Sequence, residues 1–162
     1  MIVLLSTCVA LTASAAPSVP QLVEELKGCE SLETCEPVKR LVSHGQGIWP
    51  GIKVGLGAPD EMTRFWTLGV LSEVIVPAAR EPIAALLGDP EIRVRAAAAY
   101  ALGAQRHRAV TPWLLKAIDD KDLNVRFAVV VAMGRVRDPA TVPALSTALR
   151  DKDEDVRGYA AL

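Results

Sequence analysis

The chain has 162 residues, a formal net charge of -1 at pH 7 and 51% hydrophobic residues, but only 4% aromatic ones. The near-zero charge gives no electrostatic reason to bind nucleic acid or an acidic membrane surface, so we predict no nucleic-acid partner. Beyond the N-terminal segment, no apolar run reaches the roughly 18–20 residues of a membrane span. A core of small aliphatic side chains favours closely packed helices.

Residues 1–15 are predicted to be a signal peptide. Residues 2–5 and 9–11 are apolar, and Ala13-Ser14-Ala15 fits a small-x-small cleavage site. No Lys or Arg precedes the apolar stretch, so either the signal is atypical or the true start lies upstream. The alternatives are a lipoprotein signal with a lipid anchor at Cys8, and an uncleaved anchor or a spurious hydrophobic start. The predicted location is periplasmic or secreted, with a lipoprotein as the alternative.

Two cysteines, Cys29 and Cys35, follow this signal. On one continuous helix, six residues would separate their Cα atoms by at least ~9 Å, beyond the ~7 Å limit for a disulfide. A bridge therefore requires a break between them, and the intervening sequence offers only a weak one. An exported protein could form the bridge, so the sequence leaves the question open.

A motif that recurs every 31 residues organises the rest of the chain, with Val94, Val125 and Val156 each followed by arginine. It predicts a helix A capped by Asp89, Asp120 or Asp151 and ended by Gly103 or Gly134. A Val-Pro-x-Leu pattern then starts a helix B. The result is an all-α, right-handed α-solenoid of antiparallel helix pairs.

The repeat defines the domain organisation. Residues 16–57 are predicted to form degenerate N-terminal or capping helices, and residues 58–162 the regular repeats. The repeat boundaries are 58–88, 89–119, 120–150 and a truncated 151–162. Since Leu162 aligns with mid-helix Val131, we expect the natural protein to continue, or the reading frame to be truncated.

This combination of D-x-x-x-x-V-R, an alanine-rich helix, glycine and V-P-x-L resembles HEAT repeats, specifically the short HEAT-like repeats of the phycobilisome-lyase type. The resemblance covers residues 58–162 well and 19–57 poorly. It implies a HEAT-like superhelix and a scaffold or binding role, because most of that family are scaffolds and few are enzymes.

The repeated charges are interpreted as structural. We expect Arg95, Arg126 and Arg157 to pair with loop acids and tie the units together. The acids near Asp120 and Asp151 lack the glycine of a calcium loop, and the two histidines have no ligand spacing. We therefore predict no metal, no cofactor and no catalytic residues.

Two surfaces are candidates for binding a protein partner. The loops between repeats are acidic and those within repeats are basic, which predicts an acidic and a basic edge; the alternative is that solvated loops are simply charged. The basic candidates are Arg106, His107, Arg108, Arg135 and Arg137. On helix B, Trp113 with Lys116 is predicted either to be an exposed binding anchor or to wedge between repeats.

The leading predicted function is an exported, non-enzymatic scaffold or binding module for protein-protein interaction. One alternative, by family analogy alone, is a lyase-like or chromophore-handling role. Another is a structural segment of a longer envelope protein.

Overall fold

The structure, a computed structural model, describes residues 16–31 and 33–161, which are helical without β-strands. The predicted signal peptide and Cys8 lie outside these residues. The A helices are α2 (Glu36–Ser43), α4 (Glu61–Glu73), α6 (Ile92–Ala104), α8 (Leu123–Val136) and α10 (Glu154–Ala160). The B helices are α1 (Val19–Glu25), α3 (Trp49–Leu56), α5 (Arg80–Ala85), α7 (Thr111–Ala117) and α9 (Val142–Ala148).

Helices A and B alternate along the chain, and consecutive A helices pack against one another. Proline occupies the first turn of α1, α3, α7 and α9, where its missing N–H leaves no helical hydrogen bond unmade. The repeated valines, Val94, Val125 and Val156, are at most 1% exposed. The predicted all-α solenoid is therefore confirmed.

The predicted helix caps are wrong by two residues. Helix α8 is capped by Asp122, whose side chain accepts from the Asn124 N–H, and α10 by Asp153 in the same way. At α6 the cap position is Glu91, without a side-chain cap. The earlier aspartates, Asp89 among them, instead accept the N–H two residues on and bind arginine. An aspartate in front of a helix can either cap that helix or accept the N–H two residues on in a local turn. The charge-assisted hydrogen bonds from arginine favour the second arrangement for the earlier aspartates.

Glycine does not end helix A, contrary to the prediction. Gly103 and Gly134 lie inside α6 and α8, and the left-handed residues come three positions later, at Arg106 (φ 45°) and Arg137 (φ 53°). A Cβ on Gly103 would lie 2.6 Å from the Cα of Ala132. This glycine is therefore needed for the close approach of α6 and α8, not for helix termination.

The sulfur atoms of Cys29 and Cys35 are bonded to each other, and the Cα atoms are 5.4 Å apart. The break that a bridge requires exists, because the 3₁₀ turn Leu26–Gly28 ends before Cys29 and α2 begins after Cys35. Both cysteines are buried against the core. The bridge thus joins the end of the first helical segment to the start of α2.

Within the described residues, none of the helices has both the length and the apolar character that a membrane crossing requires.

Candidate functional site

A ladder of arginine–aspartate pairs links successive repeats from residue 58 onward. The repeated arginines and aspartates of the sequence motif are engaged in these pairs. Nε of Arg95 donates to Oδ2 of Asp120 (2.9 Å) and its Nη2 to Oδ1 (3.2 Å), while Nη1 donates to the carbonyl of Asp89 (2.9 Å). Arg64–Asp89 and Arg126–Asp151 repeat this geometry. Arg157 donates to the carbonyl of Asp151 (2.8 Å).

These pairs are largely shielded from water. The side chains of Arg126 and Asp151 are 6% and 13% exposed. Hydrogen bonding from Arg126 lowers the pKa of Asp151, and the same bond raises the pKa of Arg126. The ladder is therefore part of the fold, in line with the structural interpretation of the repeated arginines.

Gln105 links two repeats inside the core and was not among the residues predicted from the sequence. Its side chain is 2% exposed; Oε1 accepts from the Val76 N–H (2.8 Å) and Nε2 donates to the carbonyl of Leu71 (2.9 Å). The counterparts of Gln105 in the neighbouring repeats are Val74 and Val136. A glutamine at a position where the neighbouring repeats have valine was the sequence feature that could have identified Gln105 as a buried polar link.

The helix B surface carries a groove between successive B helices. One lies between α1 and α3 (about 640 Å³), one between α5 and α7 (about 320 Å³), and one between α7 and α9 (about 400 Å³). Trp113 and Lys116 both line the groove between α5 and α7, beside Leu87. Trp113 is half-buried and also packs against the core. Trp113 therefore has features of both predicted placements, the exposed anchor and the wedge between repeats. Its role in binding stays a prediction.

The five predicted basic residues separate into two sets. Arg106, Arg135 and Arg137 line one cleft of about 580 Å³. His107 and Arg108 are exposed in the loop after α6 but do not line this cleft. The Nδ1 atom of His107 accepts from the Ala109 N–H (3.1 Å), so this ring caps the following 3₁₀ turn.

The predicted contrast between an acidic and a basic edge is weaker than the sequence suggested. On the acidic side, Asp89, Asp120 and Asp151 are paired with arginines. Lys121 and Lys152 lie in the same loops. On the basic side, Asp138 follows Arg137 and accepts from the Thr111 hydroxyl (2.8 Å), which lowers its pKa. The cleft at Arg106, Arg135 and Arg137 is thus a basic feature whose lining contains no acidic residue among the described residues.

Among the residues that the structure describes, no group of three or more His, Cys, Asp or Glu side chains could hold a metal ion.

Stacked helix pairs joined by a periodic ladder define the class of α-solenoid repeat proteins. A family model described as HEAT repeats matches residues 79–162, and the chain belongs to the HEAT-repeat family.

A similar fold occurs in a solved structure, the complex of CpcE and CpcF of phycocyanin lyase from Nostoc sp. PCC7120. The TM-score is 0.79 at 18% sequence identity, and the match covers 88% of this chain and 95% of that one. At this identity the likeness concerns the fold alone. No curated protein shows significant sequence similarity to the chain.

Proposed function

We propose that this HEAT-repeat protein is an exported scaffold that binds a partner protein along its helix B surface, without catalysing a reaction. The observation that carries this proposal is the groove between α5 and α7, where Trp113 and Lys116 are both accessible. Tryptophan is among the side chains most enriched in binding hot spots, and Trp113 is only partly buried. The ladder arginines, in contrast, are occupied within the fold.

Export is proposed from residues 1–15 and is supported by the Cys29–Cys35 bridge, since disulfides persist in oxidising compartments. Fusing residues 1–30 to a reporter that is active only after export tests it, with residues 16–30 as the control. We expect activity only with residues 1–15 present. Equal activity of the two fusions would contradict export by this segment, and the mass of the processed chain would separate cleavage after Ala15 from lipidation at Cys8.

The binding surface is tested by placing a photo-crosslinking amino acid at position 113 or 116 of the chain and exposing it to an extract of the source cells. We expect both positions to crosslink to the same protein. Position 124 is the control, because Asn124 is exposed at the start of α8, an A helix. Crosslinks of equal yield from position 124, or a partner captured without crosslinks from 113 and 116, would contradict the proposed surface.

The contribution of the tryptophan can be measured once that partner is isolated. We expect Trp113→Ala to weaken binding by about 30-fold, the size of a hot-spot truncation. Circular dichroism melting of the variant checks that its fold is intact.

The second candidate function is a lyase-like or chromophore-handling role. It is favoured by the fold shared with the phycocyanin lyase complex, and it rests on that analogy. Mixing the protein with a bilin and recording the visible absorption spectrum distinguishes it from the scaffold. A shift of the bilin absorption band that is lost when residues lining the clefts are substituted would favour chromophore handling over a purely protein-binding role.

A further inference from the structure

A basic cleft lies among the A helices, and none of its lining residues lines a helix B groove. It is formed by the C-terminal half of α8, the loop that follows α6, and α10. Its lining consists of Arg106, Val130, Val131, Gly134, Arg135, Val136, Arg137 and Tyr159. We propose that this cleft binds an acidic segment of a protein partner, with carboxylates on the three arginines and an apolar side chain on the valine floor. We call it the arginine cleft.

Three arginines line one cleft and have no internal counter-ions. Arg106, Arg135 and Arg137 are exposed, and none of them forms an ion pair within the described part of the chain, where the ladder arginines all have carboxylate or carbonyl partners. Arginine near a helix C-terminus is often explained by the helix dipole alone. The dipole does not explain why arginines from two repeats face one concave surface.

The backbone presents two of these arginines in an unusual way. Arg106 and Arg137 are 31 positions apart and both have a left-handed backbone (φ 45° and 53°), a conformation that favours glycine. Arg135 lies over the ring of Tyr100, with its Cζ 6.0 Å from the ring centroid. Unfavourable backbone geometry at a concave surface is a common mark of a functional position.

The floor and wall of the arginine cleft favour a peptide over a free anion. Val130 and Val136 are 2% and 7% exposed and form an apolar base. Tyr159 is 48% exposed and packs edge-on against Phe127, with ring centroids 4.6 Å apart. Its counterparts in the two preceding repeats are Ala97 and Ala128, and Trp66 occupies the same position one repeat earlier, so this wall has a large aromatic ring where the two adjacent repeats have alanine.

The guanidinium fork binds a carboxylate through two hydrogen bonds, as this chain already does in its ladder. A peptide with glutamates around a leucine satisfies the arginines and the apolar floor together. Nucleic acid is the weaker match, because the chain as a whole has a net charge of -1.

The test uses a fluorescein-labelled peptide with three glutamates around a leucine, the same peptide with glutamines, and fluorescence anisotropy. We expect the acidic peptide to bind and its affinity to fall with added salt, and the glutamine peptide to bind at least tenfold more weakly. Arg106→Gly and Arg137→Gly should each weaken binding by about tenfold. Because glycine favours the left-handed backbone, these variants should melt no lower than the parent chain.

Matched controls are Arg108→Ala, in the same loop but outside the cleft lining, and Arg93→Ala, an exposed arginine at the start of α6. Both should bind within twofold of the parent chain. Trp113→Ala should also bind normally, which separates this inference from the helix B proposal. Failure of the parent chain to bind, equal binding by the glycine variants, equal loss in the controls, or stronger binding of inorganic phosphate or a single-stranded oligonucleotide would overturn the proposal.

Discussion

Two glycines at the same repeat position have opposite structural roles. Gly103 sits against the backbone of Ala132, whereas a Cβ on Gly134 would meet no heavy atom within 4 Å. Their sequence contexts are alike, so only the packing of the neighbouring helix separates them.

We therefore expect Gly103→Ala to destabilise the protein by about 1–3 kcal/mol, because the added methyl group forces α6 and α8 apart. The matched variant Gly134→Ala should be neutral or stabilising by up to about 1 kcal/mol, because alanine is the better helix former. Urea unfolding followed by circular dichroism measures both. Equal effects of the two substitutions would show that the close contact at Gly103 is unimportant.

The Arg126–Asp151 rung gives stability a defined dependence on pH. The folded-state pKa of Asp151 is lowered, so its contribution is fully present above the unfolded value, about 3.9, and is lost as the pH falls through the folded pKa.

Asp151→Asn should consequently cost about 2 kcal/mol at pH 7, because it leaves Arg126 without its buried counter-ion. The difference from the parent chain should shrink once the pH drops below about 4. Denaturant unfolding at pH 7, 4 and 3 measures it. Asp155→Asn, at an exposed position of α10, is the control and should change stability by less than about 0.5 kcal/mol at each pH.

At the scale of elements, the periodicity predicted the A and B helices well. The repeated valines mark the buried face of helix A, and the prolines mark the first turn of helix B, so both follow from the local sequence. The start of helix A was predicted wrongly because Asp89 binds Arg64 of the preceding repeat instead of capping the helix. Its end was predicted wrongly because the left-handed residue is an arginine, three positions after Gly103 or Gly134. The contact between repeats that holds Asp89 cannot be read from the local sequence.

Candidate sites show the same limit. The sequence pointed to Arg106, Arg135 and Arg137 as loop cations, but not to their shared cleft, because the fold brings α6, α8 and α10 together. Tyr159 completes that cleft from a position that is alanine in the two preceding repeats. This difference from the adjacent repeats was the signal available for it.

The Cys29–Cys35 bridge links the first helical segment to α2, in the part of the chain that follows the repeat pattern poorly. Closing so short a loop stabilises the folded state by about 2 kcal/mol in the chain-entropy model. We expect dithiothreitol to lower the unfolding midpoint of residues 16–162 and to have no effect on the Cys29→Ser/Cys35→Ser double variant. An equal response of the two proteins to the reductant would contradict a stabilising bridge.

At the scale of the whole molecule, each repeat of the solenoid is stabilised by hydrogen bonds to the adjacent repeats. Successive rungs share a residue: Arg95 binds the carboxylate of Asp120, while Arg126 donates to the carbonyl of the same aspartate (3.1 Å). Arg64 and Arg126 have no partner in common. If each repeat interacts only with its neighbours, substitutions of two arginines should have non-additive effects on stability only where the two arginines share a partner residue.

Two double variants distinguish arginines that share a partner residue from arginines that do not. Arg64→Ala with Arg126→Ala should lower the free energy of unfolding by the sum of the single effects, within about 0.5 kcal/mol. Arg95→Ala with Arg126→Ala should deviate from the sum by about 1 kcal/mol, because the first substitution already loosens the loop that holds the second arginine. Urea unfolding of the single and double variants gives both coupling energies. Equal coupling of about 1 kcal/mol in both pairs would mean that the ladder acts as one cooperative unit, and additive effects in both pairs would mean that the rungs are independent. Either result would contradict the prediction.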